Sequence, residues 1–326
     1  MVKNRAVTTI HPESPAESAP HLALAVDVGG TKVEAALVDP TGALVPGTRH
    51  RAPTGASSPS EDIAASVERV IDEALAAAPA GACIVGAGVG SAGPISIERG
   101  SVSPLNLPVW RDFPLARLVA ERSHLDNVVL RLDGLCILLA EHWAGALQGY
   151  RNAMGMVVST GIGGGLLVEG RLVGGRSGNA GHVGQIQIHT HGGVGRDLSV
   201  TLEGIAAGTR IVEWARQEGW SGHTGEELSA AYGEGDPIAI AAVERCARAL
   251  GEGIASVCAL VDLEAVAIGG GFSRVTPDLF DLIRAAVADV APLDTIEGVV
   301  VLPSALSDEG PLIGAAGLIH RAELLP

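Results

Sequence analysis

Residues 24-LAVDVGGTKVEAALVD-39 constrain this chain more than any other stretch. An apolar run ends near an acid, two glycines, a threonine and a lysine follow, and a second apolar run begins. The pattern predicts strand, tight turn, strand. Gly29 and Gly30 allow positive φ and let backbone N–H groups face outward, so the turn can approach a phosphate that a Cβ would block. Thr31 adds a hydroxyl and Lys32 a point charge. Asp27 ends the first strand, where a carboxylate can hold a hydrated Mg²⁺. An ordinary hairpin has the same signature, because Gly-Gly between strands is common.

The chain has 326 residues, enough for one large or two ordinary domains. Hydrophobic residues make up 47% but aromatics only 3%, so the core must be built of Ala, Val, Leu and Ile. A formal net charge of −15 argues against a nucleic-acid surface, which needs clustered Lys and Arg. The balance suits a soluble metabolic enzyme. Cys83, Cys136, Cys246 and Cys258 form no C-x-x-C pair and read as buried thiols in a reducing cytoplasm. No apolar stretch is long enough to span a membrane. Residues 1–20 lack an apolar run and read as a disordered tail rather than a signal peptide.

Strands are expected at 22–27, 33–39 and about 43–49, then a helix from Ser60, as its cap, to about Ala78. A buried strand at 83–90 runs into the turn 90-GSAGP-94. A helix near 114–122, a strand at 127–132 and a buried helix at 134–147 follow. The second half repeats the opening, with a strand at 154–160, a Gly-rich turn at 161–165 and a strand at 166–170. Helices fill much of 202–262. A strand at 265–271, a helix near 274–290, a strand at 298–302 and a helix near 310–322 close the chain. Each half begins strand, Gly turn, strand and then alternates helix with strand. That order implies a duplicated α/β unit.

At this level the chain resembles the ROK family of bacterial sugar kinases and repressors, within the actin/hexokinase-like ATPase superfamily. DVGGTK, GSAGP, 105-LNLPVW-110, 159-STGIGGG-165, 178-GNAGHVG-184, 202-LEGIAAG-208 and 269-GGG-271 occur in the family's order, from His21 to the end. The resemblance implies a two-lobed actin-like (ribonuclease H-like) α/β fold. The small lobe would be 21–133 plus 310–326, and the large lobe 134–309. It implies ATP and Mg²⁺ at Asp27, Gly29, Gly30, Thr31, Lys32, Thr160, Gly161, Gly163, Gly270 and Gly271, with the metal on Asp27 directly or through water. It further implies a cytoplasmic homodimer or homotetramer with a small sugar-like substrate and neither nucleic acid nor membrane as partner.

The segment 132-LDGLCILLAE-141 matches the family's N-D-A-N-A-A-A-L-A-E pattern, which puts Asp133 on the catalytic position. A carboxylate there accepts the proton of an attacking hydroxyl as the γ-phosphoryl group moves. Asp133 also reads as a plain helix N-cap, and the two roles are compatible. The implied acceptor pocket comprises Gly93, Asn106, Asp133, His182, Gln185 and Glu203.

The departures from the family pattern are specific. Leu132 and Leu135 stand where the family has Asn. The family's G-E-x-G-H reads 181-GHVGQ-185, so His182 replaces a sugar-binding Glu and Gln185 a metal-binding His. The family's zinc loop, C-x-C-G-x-x-G-C-L-E, aligns with 194-VGRDLSVTLE-203, where Val194, Arg196 and Thr201 replace the cysteines and only Glu203 survives. No zinc site is therefore expected. A substitute site of His182, His189 and His191 is the alternative. Without zinc, the loop 186–199 would be held by packing, with Leu198 and Val200 contributing. Leu132 and His182 make the pocket a poor match for glucose and a better one for an unusual hexose, an aminosugar or a C7-cyclitol. Should glucose bind well, Gln185 and His142 are the side chains expected to satisfy its hydroxyls.

Three functions follow in order. The first is an ATP-dependent kinase of a sugar-like hydroxyl, supported by the nucleotide set and Asp133. The second is a weak or inactive pseudokinase that senses sugar or nucleotide, supported by the changed pocket. The third, a ROK repressor, needs a helix-turn-helix domain ahead of DVGGTK, and only about twenty residues precede it here.

Overall fold

A computed structural model of the chain describes residues 20–55, 57–188, 200–291, 293–306 and 308–325. Nearly all of the expected tail, together with His189, His191, Val194, Arg196 and Leu198, lies outside the described residues.

The first half forms β1 (His21–Val28), β2 (Lys32–Val38), β3 (His50–Pro53), α1 (Ser60–Ala76) and β4 (Cys83–Ser91). It continues with a short hairpin of β5 (Ile95–Ser96) and β6 (Ser101–Val102), then α2 (Leu115–Ser123), β7 (Val128–Leu132) and α3 (Asp133–Ala144). The second half forms β8 (Ala153–Val158), β9 (Ile162–Val168), β10 (Arg171–Leu172), α4 (Leu202–Ala206), α5 (Gly208–Gln217), α6 (Gly225–Gly233) and α7 (Pro237–Val261). It closes with β11 (Ala265–Gly269), α8 (Leu279–Val290), α9 (Asp294–Glu297), β12 (Val300–Pro303) and α10 (Gly310–His320).

The two main sheets have the same topology. One runs β3-β2-β1-β4-β7 and the other β10-β9-β8-β11-β12. In each, the first three strands are an antiparallel meander and the outer two run parallel to the first. The duplication legible in the order of elements is thus a duplication of sheet topology.

Period-2 alternation explains how the first sheet is covered. Leu22, Leu24, Val26 and Val28 of β1 share a core with Ile63, Val67, Val70 and Ile71 of α1. Ala23 and Ala25 point the other way, to Ala36, Leu312, Ala315 and Ala316. Small residues on that second face let α10 lie almost backbone to backbone on its neighbours. A Cβ on Gly88 of β4 would run into the Ala315 carbonyl, and one on Gly314 into that of Cys136 in α3.

α3 is packed against both sheets. Cβ atoms on Gly155 and Gly165 would stand 2.6 and 2.7 Å from the Cα atoms of Leu138 and Leu135. The glycines at 163–165 belong to β9, where Gly165 admits α3 and Gly164 leaves room for Val183, and the expected turn over 161–165 is corrected. The turn is shorter, with the Ser159 N–H donating to the Gly161 carbonyl at 2.9 Å.

Other expectations shift for local reasons. The third strand falls at 50–53 and not at 43–49. Pro46 supplies no N–H, Gly47 takes φ +79°, and the Thr48 hydroxyl accepts the Leu37 N–H at 3.0 Å in place of a ladder partner. α8 starts five residues late, because Pro277 disfavours helical geometry in the residue before it. Ser60 is the first helical residue, and Pro59 holds the cap position. Cys83 is exposed, whereas the other three cysteines are buried. Val200 is buried at one end of the loop that zinc would have held. No helix among the described residues is long and apolar enough to cross a membrane.

Candidate active site

β1, β4 and β7 run parallel, with Asp27 opposite Gly90 and Ser91 opposite Leu132. Their C-terminal ends therefore open at one edge of the sheet. There they carry Asp27, the turn at 29–31, Gly93 and the start of α3.

The 29–31 turn is a true hairpin. Gly29 N–H donates to the Lys32 carbonyl at 2.9 Å, and neither Gly29 nor Gly30 takes positive φ. The expectation that these glycines supply left-handed geometry and an outward Gly29 N–H is corrected. Gly30 is required for a different reason, since a Cβ there would stand 2.5 Å from Asn106 Nδ2. Thr54, which carried no motif signal, latches the turn. Its hydroxyl donates to the Gly29 carbonyl at 2.9 Å and its N–H to the Thr31 carbonyl at 3.0 Å. Lys32 bonds to the buried Glu34, which also holds Arg49 and Arg51. In this state the Lys32 ammonium is committed to a carboxylate.

Asn106 is exposed on a loop pinned by its neighbours. Leu107 and Trp110 are fully buried, and Trp110 stacks on Phe113 at 4.0 Å. Asn106 thus lies directly against the Gly30 turn.

Asp27 is buried and accepts no hydrogen bond from the described residues. Burial, and then the neighbouring charges of Asp133 and Glu34, push its carboxyl up to about 7, against a smaller opposing pull from Lys32. A carboxylate with free lone pairs beside the 29–31 turn fits a hydrated Mg²⁺, which would restore its ionised form.

Asp133 is the first residue of α3, and Leu132 is its N-cap, so the N-cap reading is corrected by one position. Asp133 Oδ1 accepts the Gly134 N–H at 2.7 Å. Desolvation raises its pKa, opposed by that hydrogen bond and by His182, and reinforced by Glu203. Asp133, the His182 imidazole and the Glu203 carboxylate are thus close enough to feel one another's charge. Gly163 lies beside Asp133 too, since a Cβ there would stand 3.9 Å from Asp133 Oδ1.

His182 reaches this position because its loop is tied down. Asn179 accepts the Ile95 N–H at 2.9 Å and donates to the Ile95 carbonyl at 2.8 Å, which brings the loop over Gly93. His182 Nε2 is buried with no hydrogen-bond partner. Leu132 is buried at 2% exposure, so it faces His182 and Gly93 rather than an open pocket. Glu203 Oε2 accepts the Ile162 N–H at 2.9 Å, and its Oε1 accepts from Gln185 Nε2 at 3.1 Å. His142 sits about two and a half turns along α3 from Asp133, near Arg321, and takes no part in this cluster. Among the described residues, no group of three or more His, Cys, Asp or Glu is arranged to hold a metal ion.

Beyond the Ser159–Gly161 turn lies a cleft of about 860 Å³. Thr160 and Gly271 line it, as expected. Thr209, Arg216, His223, Thr224, Phe272 and Arg274 line it unannounced. Gly270 shapes it from below, with φ +96° and no room for a Cβ against the Val158 carbonyl. Thr224 caps α6 in a capping box with Glu227, a spacing that could have marked it in the sequence.

Paired α/β sheets of one topology, each opening with a Gly-containing turn between its first two strands, are those of an actin-like ATPase fold. The ROK family model matches residues 23–322, and the chain belongs to that family. Among relatives, it is 27% identical to a glucokinase of Halalkalibacterium halodurans over 316 residues, covering 91% of this chain and 94% of that one. It is 33% identical to an N-acetylmannosamine kinase of Yersinia pseudotuberculosis over 310 residues, covering 92% and 99%. Among solved structures, it superposes on the ROK hexokinase of Thermus thermophilus with a TM-score of 0.78 at 30% identity, covering 90% and 96%. It superposes on a Streptomyces griseus ROK glucokinase, solved with glucose and AMPPNP, with a TM-score of 0.77 at 28% identity, covering 91% and 98%.

Proposed function

We propose that this protein is an ATP-dependent carbohydrate kinase. It transfers the γ-phosphoryl group of ATP to a hydroxyl of a sugar or sugar-like acceptor. The observation that carries the reading is Asp133, a desolvated carboxylate set among Asp27, His182 and Glu203, with a nucleotide-sized cleft beyond the adjacent turn.

In this reading the acceptor hydroxyl meets Asp133, which takes its proton as the oxygen attacks phosphorus. The P–O bond to ADP breaks, and the products are a phosphate ester, ADP and a proton held on Asp133. Asp27 is the residue that would hold Mg²⁺, which would supply charge neutralisation at the phosphates. Gly30 and Thr31 face the transferring group, and Lys32 would have to leave Glu34 to reach it. Thr160, Gly161, Gly270 and Gly271 shape the nucleotide side. Gly93, Asn106, His182 and Glu203 bound the acceptor, with Gln185 behind Glu203.

The assigned lobes are 21–133 plus 310–326 and 134–309, closing on the acceptor. The protein is read as a cytoplasmic homodimer or homotetramer. Relatives of similar identity act, by name, on glucose and on N-acetylmannosamine, so relatedness does not choose the acceptor. His182, buttressed from behind by Leu132, favours an unusual hexose, an aminosugar or a C7-cyclitol over glucose. An ADP-release screen of sugars, aminosugars and cyclitols with MgATP tests the reading. Acceptor-dependent ADP release is expected, and its absence across the panel would favour a binding-only protein.

A further inference from the structure

We propose that Gln185 is a positioning residue that fixes the plane of the Glu203 carboxylate for the acceptor. The proposal rests on the reading of Glu203 as an acceptor ligand. Glu203 lies in the first turn of α4, and its two oxygens are held from two different elements. Ile162 N–H in β9 donates to Oε2 at 2.9 Å, and Gln185 Nε2 donates to Oε1 at 3.1 Å. One donor alone leaves a carboxylate free to swing about its terminal torsion, which has a broad, soft profile. The second donor removes that freedom. Each oxygen then keeps one lone-pair direction, and both point to fixed places.

Gln185 is itself well held. It ends a 3₁₀ turn at Val183–Gln185, and its own N–H donates to the His182 carbonyl at 2.9 Å. Gly184 lets this turn lie against α4 and β9: a Cβ there would come within 3.2 Å of Glu203 Cβ and would strike the Ile162 carbonyl. His182 and the Glu203 clamp are therefore set by one rigid turn. The Gln185 side chain is exposed, so replacing it opens no cavity. A change in kinetics at this position would then report on orientation rather than on folding.

The test measures steady-state ADP release by the full-length protein, with MgATP and with glucose and N-acetylmannosamine as acceptor probes. Gln185→Leu should raise the acceptor KM by about 5–30-fold, as expected for loss of a charge-assisted hydrogen bond, with kcat and the KM for ATP little changed. Gln185→Glu sets a second carboxylate against Glu203. Its acceptor KM should be higher still at pH 8 and should fall towards pH 6, as one of the two carboxyls takes a proton. In a Glu203→Ala background, Gln185→Leu should add nothing. An equal effect in that background would mean that Gln185 meets the acceptor itself and would overturn the proposal. A Glu203→Ala effect with none from Gln185→Leu would overturn it alone. An unchanged acceptor KM in Glu203→Ala would overturn the acceptor reading of Glu203 and the proposal with it. A crystal structure of the Gln185→Leu protein gives a readout that needs no acceptor. A Glu203 carboxylate spread over several orientations supports the clamp, and one left in place refutes it.

Discussion

Leu132 and His182 meet on the hydrogen side of Gly93. A methyl group at that α-carbon would stand 2.5 Å from Leu132 Cδ2 and 3.0 Å from His182 Cε1. The imidazole is thus buttressed by an apolar side chain and a glycine, and its position beside Asp133 depends on both.

Gly93→Ala follows directly. The added methyl must push aside Leu132 or His182, at a cost of about 1–3 kcal/mol in stability. Displacement of His182 should raise the acceptor KM more than the KM for ATP. Melting curves with two-substrate kinetics would check both, and equal effects on the two KM values would place His182 outside acceptor recognition.

Leu132→Asn should destabilise the protein by about 1–3 kcal/mol, because the amide enters a 2%-exposed position lined by carbon and an imidazole. The double change with His182→Glu supplies a carboxylate acceptor for that amide and restores the polar character that favours glucose. It should raise kcat/KM for glucose, relative to other acceptors, by about tenfold or more. A double variant with unchanged preference would show that discrimination is built elsewhere in the pocket.

Asp27 gives a pH signature. Its pKa rises from 3.8 unfolded to about 7 folded, so between those values the folded state holds a proton that the unfolded state has lost. Its contribution to stability is therefore greatest below pH 3.8 and declines as pH rises to about 7. Asp27→Asn removes this penalty. Its stability advantage over the parent should widen through that window and reach about 1–3 kcal/mol at pH 8 without metal. Mg²⁺ should raise the parent Tm and leave the variant's unchanged. Parallel pH–stability curves for the two proteins would contradict this account of Asp27.

The order of elements and their duplication, the place of Asp133 and the Asp27 turn were legible because each rests on a local pattern, whereas the order of strands within each sheet came only with the structure. Strand alternation, a Gly-Gly turn and an acid before a buried helix all survive in one dimension. The physical reasons for several glycines were not. Gly163, Gly164 and Gly165 read as part of a Gly-rich turn, yet they are strand residues; Gly165 makes room for α3 and Gly164 for Val183. Gly30 read as a source of positive φ, yet it makes room for Asn106, 76 positions away. Thr54, Arg216 and Arg274 reach the site through tertiary contact alone, so no spacing announced them. Gln185 read as a lost metal ligand and as a member of the acceptor pocket. Its hydrogen bond to Glu203 depends on the packing of a 3₁₀ turn against α4, which sequence spacing does not encode.

Asp133→Asn tests the central claim most directly. The amide keeps the shape and the helix start but cannot take the hydroxyl proton. With a saturating acceptor and MgATP, kcat should fall on the order of 10²-fold or more, while acceptor binding measured calorimetrically stays within a few-fold of the parent. Normal turnover by the Asp133→Asn protein would contradict the account and leave Asp133 as a residue that only starts a helix.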